Sequence, residues 1–313
     1  MSRSVVCGDG DVTVNPHSAA VDIFTRGLQA ADPSAAVHRA MRIEHTSMGP
    51  QLSLCVAGGP ETRLPLTSFT SVIVVGGGKA AVPMLQATES ILGDKLTGGV
   101  VVTKYEHRGS ADLSGKVQVW EAAHPVPDQQ GIAGTGQMLA CLREHAGADT
   151  LVICLLSGGG SALITAPKPG LSLEDLREVS QVLLRCGAPI DEINAVRSSL
   201  DAVKAGGLLR LAGPSTVVSL ILSDVIGDPV AIIASGPTTP RPPLYKQGLD
   251  ILSKYGVEKD VPAVVLSLLR EGVAQAQATA TAEAEGEHSK AYSFIIGSNR
   301  LGLDLAGEWA RGL

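Results

Sequence analysis

Aromatic side chains are scarce in this sequence: three Phe, four Tyr and two Trp among 313 residues. Basic residues are outnumbered too, 25 Lys and Arg against 31 Asp and Glu, and they form no run. Without stacking platforms or a polybasic stretch, nucleic acid is excluded as the expected partner. Long apolar stretches are also missing. The greasiest runs, such as residues 151–156, are strand-sized and fall far short of the ~20 residues a membrane helix needs. The opening MSRSVVCGDGDVTVNP lacks the apolar centre of a secretion signal, and its two Asp speak against an Arg-rich transit peptide. Cysteine is sparse: Cys7, Cys55, Cys141, Cys154 and Cys186 show no CxxC and no metal-ligand spacing. The reading is a reduced, cytoplasmic protein with no membrane partner.

What the chain does contain is glycine, 36 residues, and enough apolar material, 44%, to fill a large core. Six short β-branched runs, at 71–75, 99–103, 117–121, 150–156, 216–222 and 292–296, are continuous and not alternating. Parallel strands covered on both faces look like this. Helical candidates lie between them, the clearest at 173–186 with Leu176, Val179, Leu183 and Cys186 on one stripe. Ser172 and Asp175 have capping-box spacing there, and Gly187 stands past its end. Alternation of this kind predicts an α/β fold: a doubly wound, mostly parallel sheet of about six strands in a Rossmann-like three-layer arrangement. Residues 16–42 read as one helix, with Val21, Phe24 and Leu28 in register, and 261–269 as another. The expected organisation is a flexible N-terminus (1–15), a Rossmann-like domain (16–273), a low-complexity linker (274–290) and a last strand with its helix (291–313).

In open α/β sheets ligands bind beyond the carboxyl ends of the strands, so the loops there carry the chemistry. After the first run comes GGGKAA, where Gly76, Gly78 and Ala81 satisfy G-x-G-x-x-A. The acidic residue that would hold a ribose is missing after the second run, where Lys104 stands. Lys79 is followed by Ala80, so a Walker A magnesium ligand is missing as well. A glycine turn (Gly76, Gly77, Gly78) with a lysine suited to an anion remains, beside the plainer reading of a tight turn with a solvated Lys79. After the third run HPVPD presents His124 and Asp128 on a proline-stiffened backbone, either as a pocket wall or as a surface turn. After the fourth, Ser157, Gly158, Gly159, Gly160 and Ser161 read as a backbone nest for phosphate, beside the plainer reading of a simple turn. After the fifth come Ser223 and Asp224, the latter placed as a magnesium ligand or a base toward a hydroxyl. Helical spacing would bring Asn194, Arg197, Asp201 and Lys204 together as a face for an acidic substrate, or simply as a solvated face.

Together these strings resemble one family, the class II glycerate kinases or glycerate 2-kinases. The resemblance rests on VVGGGKA (74–80), AHPVPD (123–128), LLSGGGSAL (155–163), INAVR…K (193–204), SDVIGDP…IASGPT (223–238) and GSN (297–299). It runs from about position 21 to about 303. It implies transfer of the γ-phosphoryl of ATP to a hydroxyl of D-glycerate with Mg2+, in a cleft between a large Rossmann-like domain and a smaller C-terminal one. It makes Lys79 a catalytic candidate, with a second, an arginine, in a Gly-rich motif of the C-terminal domain that this sequence does not reach.

On this reading Lys79 stabilises transferring charge, residues 157–161 cradle an anion, and Asp224 serves magnesium or orients the hydroxyl. His124 and Asp128 line the pocket with Ser223, while Arg197 or Lys204 faces the substrate carboxylate. The sequence departs from the family where Ser198 and Ser199 follow Arg197 and where Ala205 follows Lys204, which thins the basic lining. The expectation is weak or absent kinase activity in so short a form, with self-association through the uncovered cleft face. Two other readings stand beside it: an NAD(P)-dependent oxidoreductase, and a non-catalytic form acting as an interaction partner.

Overall fold

The chain enters through two helices, α1 (Pro16–Ala30) and α2 (Pro33–Ala40), where apolar spacing alone predicts one. Pro33 forces Asp32 into extended backbone, and the Asp32 carboxylate accepts the Ala35 N–H at 2.7 Å as a fresh N-cap. A punctuation signal overrode the periodic one. The computed structural model describes residues 15–312 apart from positions 57, 111, 243 and 280–289. The segment expected to be a flexible N-terminus therefore lies almost wholly outside the described residues.

A small antiparallel sheet follows that the sequence reading did not anticipate: β1 (Met41–Thr46), β2 (Gly49–Leu54) and β3 (Thr62–Pro65), in that order. Met41, Leu52, Leu54 and Leu64 bury themselves in the same core as α2, so the sheet extends one face of the main body.

The six predicted runs become β4 (Ser71–Gly77), β5 (Gly98–Lys104), β6 (Val117–Ala122), β7 (Thr150–Leu156), β8 (Thr216–Ser223) and β9 (Ala291–Ser298). They form one all-parallel sheet of order β6-β5-β4-β7-β8-β9. Successive residues of β4 serve opposite layers. Val72 and Val74 meet Met84 and Leu85 of α3 (Ala81–Leu92), while Ile73 and Val75 share a second core with Met138 and Leu142 of α4 (Gln129–His145). Burial on both faces is why these strands read as unbroken apolar runs. Cys154 of β7 is fully buried, and desolvation pushes its thiol up to about 12, so it behaves as a small hydrophobe.

Beyond β7 the chain makes α5 (Gly160–Leu163), α6 (Leu173–Arg185), α7 (Ile190–Ser199) and α8 (Gly207–Leu211). Beyond β8 come α9 (Tyr245–Lys254) and α10 (Ala263–Thr279), then β9 and α11 (Asn299–Arg311). Helices α6, α7, α9 and α10 pack a third core of their own around Val179, Leu183, Val196, Leu252 and Leu269. The capping box of α6 is present in both directions: Ser172 Oγ accepts from the Asp175 N–H, and Asp175 accepts from the Ser172 N–H. The first part of the expected linker is helical, since α10 continues through Thr279 on alanine-rich sequence. Residues 280–289 lie outside the described ones.

Candidate active site

Strand order reverses between β4 and β7. From β4 the chain winds outward to β5 and β6, and from β7 it winds the other way to β8 and β9. The two loops leaving these neighbours therefore diverge and leave a crevice at their carboxyl ends. Both Gly-rich strings sit there.

The first loop is stitched inward. Gly76 and Gly77 still belong to β4 and pair with β5 and β7. The Gly78 N–H donates to the Val102 carbonyl at 3.0 Å, the Lys79 N–H to the Gly158 carbonyl at 2.9 Å, and the Ala80 N–H to Ser157 Oγ at 3.1 Å. Gly76, Gly77 and Gly78, expected to bind a cofactor, thus have their N–H groups turned into the sheet and do not present them to a ligand. Their need for glycine is steric. At Gly76, with φ +131°, an added Cβ would lie 2.8 Å from both the amide nitrogen and the carbonyl carbon of Leu155.

The second loop is the open one. Among the described residues no protein acceptor takes the N–H groups of Gly158, Gly159 or Ser161, whereas the Gly160 N–H turns back to the Ser157 carbonyl at 3.2 Å. Three free donors on one short turn form the concavity that anions fill. The loop also receives its neighbours closely. A Cβ at Gly158 would stand 2.9 Å from Asp224 Cγ, and one at Gly159 would stand 2.9 Å from His124 Cδ2. The carboxylate of Asp224 and the imidazole of His124 therefore rest against the nest itself. From below, Ser161 Oγ meets Ser235 Oγ at 2.8 Å. Ser235 and Ala234 are held at φ +64° and +50°, a left-handed pair costing roughly 1–2 kcal/mol per residue. The pair lies in the IASGPT string singled out in the sequence, although nothing there announces its left-handed backbone.

Two lysines stand at the same strand ends. Lys79 is exposed, and among the described residues its ammonium has no hydrogen-bond partner, while its carbonyl accepts from His107 Nδ1 at 3.1 Å. Because a carbonyl only accepts, His107 carries its proton on Nδ1. Lys104 ends β5, in the place where a ribose-binding acid would stand. Sequence reasoning noticed Lys104 only for what it was not. His124 feels all of them: burial first, then the charges of Lys79 and Lys104, push its pKa below the ordinary 6.5, with Asp224 opposing.

Protonation of His124 is therefore harder in the folded chain than in the unfolded one. The stability this group contributes is full above pH ~6.5 and is lost as pH falls through the lowered folded value. The melting temperature is expected to fall on acidification below that point, with a shallower slope in His124→Gln. Identical slopes for parent and variant would remove His124 from this cluster of charges.

Three expected site residues have other duties. Asp128 caps α4: its carboxylate accepts the Gly131 N–H at 2.9 Å and the Tyr105 hydroxyl at 2.7 Å. Burial works against that carboxylate, but these hydrogen bonds prevail and hold its pKa below the usual carboxylate range. Ser223 is buried, and its hydroxyl closes a turn on Val225 at 3.2 Å in place of facing a ligand. Lys204 is turned inward. Helix α7 stops at Ser199, so Asp201 and Lys204 lie past its end on a turn, where they form a buried ion pair. The Lys204 ammonium also donates to the Ile164 carbonyl and Thr165 Oγ1, which leaves it no capacity for a substrate. Arg197 is half-buried and faces a separate cavity behind the Pro125–Pro127 turn, whose lining includes neither Gly-rich loop nor Asp224.

These features define a class: a doubly wound α/β domain whose strand-end crevice presents bare N–H groups, cations and one carboxylate, the equipment for handling phosphate. The chain belongs to the family described as a domain of unknown function, DUF4147, which matches residues 19–270. The kinship with glycerate 2-kinases implied by the motifs is borne out. The D-glycerate 2-kinase of Thermotoga maritima is 44% identical over 196 residues, covering 62% of this chain and 46% of that protein. An Agrobacterium vitis protein, provisionally named a hydroxypyruvate reductase, is 41% identical over 210 residues, 67% of this chain and 47% of that one. The crystal structure of glycerate kinase from Thermotoga maritima matches with a TM-score of 0.75 at 33% identity, over 94% of this chain and 62% of that chain. The chain spans about half the length of the curated relatives it matches.

Proposed function

We propose that this chain takes part in glycerate kinase chemistry, the transfer of the γ-phosphoryl of ATP to a hydroxyl of D-glycerate. One observation carries the reading: three unpaired N–H groups, on Gly158, Gly159 and Ser161, sit against the carboxylate of Asp224 and against His124, which itself feels the charges of Lys79 and Lys104. In the transfer the glycerate oxygen forms a bond to the γ-phosphorus, the bond to the departing ADP oxygen breaks, and the hydroxyl proton leaves. Little covalent help is needed from the protein, so positioning and charge stabilisation dominate. The nest holds phosphoryl oxygens, Lys79 balances the charge that develops on them, and Asp224 either orients the hydroxyl and accepts its proton or holds magnesium, in which case water takes the proton. His124, packed on Gly159, walls the site.

Magnesium fits this arrangement. It is held through one or two carboxylates with phosphates and water completing its sphere, and not by an all-protein cage. Asp224 is such a carboxylate, and among the described residues no cluster of three or more metal-ligating side chains exists. Asp224 would hold the ion, which supplies charge neutralisation on the phosphates.

The oxidoreductase reading rests on Gly76, Gly78 and Ala81 and on the name of the Agrobacterium relative. It is weakened by Lys104 at the ribose position and by the engaged N–H groups of the first loop. Thermal-shift titrations with ATP–magnesium, D-glycerate, NADH and NADPH separate the two. Stabilisation is expected from ATP–magnesium; stabilisation by a nicotinamide nucleotide alone would end the kinase reading. A coupled assay of glycerate-dependent ADP release then distinguishes a working enzyme from a non-catalytic binder.

A further inference from the structure

The turn that carries His124 has a second side. Behind Pro125–Pro127 lies a cavity of about 240 Å³ whose walls include Val126, Leu173, Leu176 and Leu184. Two guanidinium groups open into this apolar space. Among the described residues, Arg197 makes no hydrogen bond and no ion pair within salt-bridge distance, although it is half-buried. Arg177 is engaged: it holds the Pro127 carbonyl through Nη2 at 2.6 Å and pairs with Glu174 through Nη1 at 3.5 Å, so Arg197 is the cation left to a ligand. The remaining charges there, Lys204 and Asp201, neutralise one another.

A cavity that is apolar along its walls and cationic at one end is an unfinished piece of solvation. Leaving a buried guanidinium donor unpaired costs free energy, which an incoming acceptor would recover. Arginine's planar fork matches a carboxylate. D-Glycerate is a poor occupant, because it has no aliphatic body to cover Val126, Leu173, Leu176 and Leu184.

We propose that this cavity is a ligand site distinct from the strand-end crevice, and that it binds a small monocarboxylate with an aliphatic body. The carboxylate sits on the unpaired guanidinium of Arg197, and the chain lies along Leu173, Leu176 and Leu184. The inference does not depend on the kinase reading, since none of these residues belongs to the crevice.

Calorimetric titration of the full chain with hexanoate tests it. Hexanoate is expected to bind one per chain. Acetate should bind at least about tenfold more weakly, because it lacks four methylenes each contributing roughly 0.8 kcal/mol on burial. Hexanol should bind at least about tenfold more weakly for want of the charge-assisted hydrogen bonds. Arg197→Gln should lower hexanoate affinity at least about tenfold, while Lys79→Ala leaves it unchanged. Should Arg197→Gln fail to fold, Leu184→Ser alters a largely exposed residue at the rim and should weaken hexanoate by a few-fold without affecting acetate. No hexanoate binding at millimolar concentration would overturn the proposal, as would equal affinity in both the Arg197 and Leu184 variants. Displacement of hexanoate by D-glycerate would overturn it too, by making the cavity part of the crevice.

Discussion

In a form extended by the family's C-terminal domain, Lys79→Ala is expected to lower glycerate-dependent ADP release by at least about a hundredfold relative to its parent, the scale of losing one preorganised charge-stabilising group. The reason lies in how the residue is held. Its N–H is bonded to the Gly158 carbonyl at 2.9 Å and its carbonyl to His107 at 3.1 Å, so its backbone is pinned at both ends. Its ammonium is left without a protein partner among the described residues. A fixed root with a free charge at the edge of an anion nest is suited to charge that appears only during transfer. Turnover should therefore fall more than affinity for ATP–magnesium, since an interaction realised in the transition state lowers the rate without a matching change in binding. Folding should hardly notice, because an exposed lysine without contacts carries little stability. Turnover within a few-fold of the parent would make Lys79 an ordinary loop residue.

The pinning of Lys79 also shows where sequence reasoning stopped. All six strands of the parallel sheet were legible to within a few residues, because burial on both faces imposes an unbroken apolar run on each. The capping box of α6 was legible because its partners, Ser172 and Asp175, are three residues apart. The bond from Lys79 to Gly158 joins residues 79 positions apart, and nothing in GGGKAA announces it. For the same reason the two Gly-rich strings looked alike, although one is consumed by the sheet and the other is open. The small sheet β1–β3 was missed because its strands are short and half-polar, with burial supplied by α2 and α3 and not by their own pattern. Lys204 was read as a surface cation from helical spacing that α7 does not sustain past Ser199. Local chemistry was readable; long-range partnership was not.

That inward lysine leads to the largest expected effect on stability. Asp201 and Lys204 are 1% and 3% exposed, a charge pair almost wholly removed from water. Asp201 accepts the Val203 N–H at 2.9 Å, the Ala166 N–H at 3.2 Å and the Lys204 ammonium, so it ties the exit of α7 to the segment that follows α5. The Ala202 N–H reinforces the tie on the Ala166 carbonyl at 2.8 Å. The anion nest begins α5, so this polar knot supports the nest from behind. Burial lowers the Lys204 pKa, and Asp201 is what opposes that shift. Asp201→Ala removes the opposition and orphans two backbone N–H groups together with a buried ammonium. It should cost about 3–5 kcal/mol, the range for breaking a buried pair from one side. Lys204→Met should cost less, because the two backbone N–H groups still solvate the Asp201 carboxylate. The double variant Asp201→Ala/Lys204→Met should be less damaged than the sum of its parts. The pH dependence has a definite sign. With its partner gone, Lys204 sheds its proton more readily in the folded chain than in the unfolded one. Stability of Asp201→Ala should therefore rise, and its deficit shrink, as pH climbs from neutral toward the ordinary lysine pKa. Urea unfolding of the parent, both single variants and the double at neutral and alkaline pH measures each of these quantities. An Asp201→Ala loss below about 1 kcal/mol, or a deficit that grows with pH, would mean that this pair is not the buried brace described above.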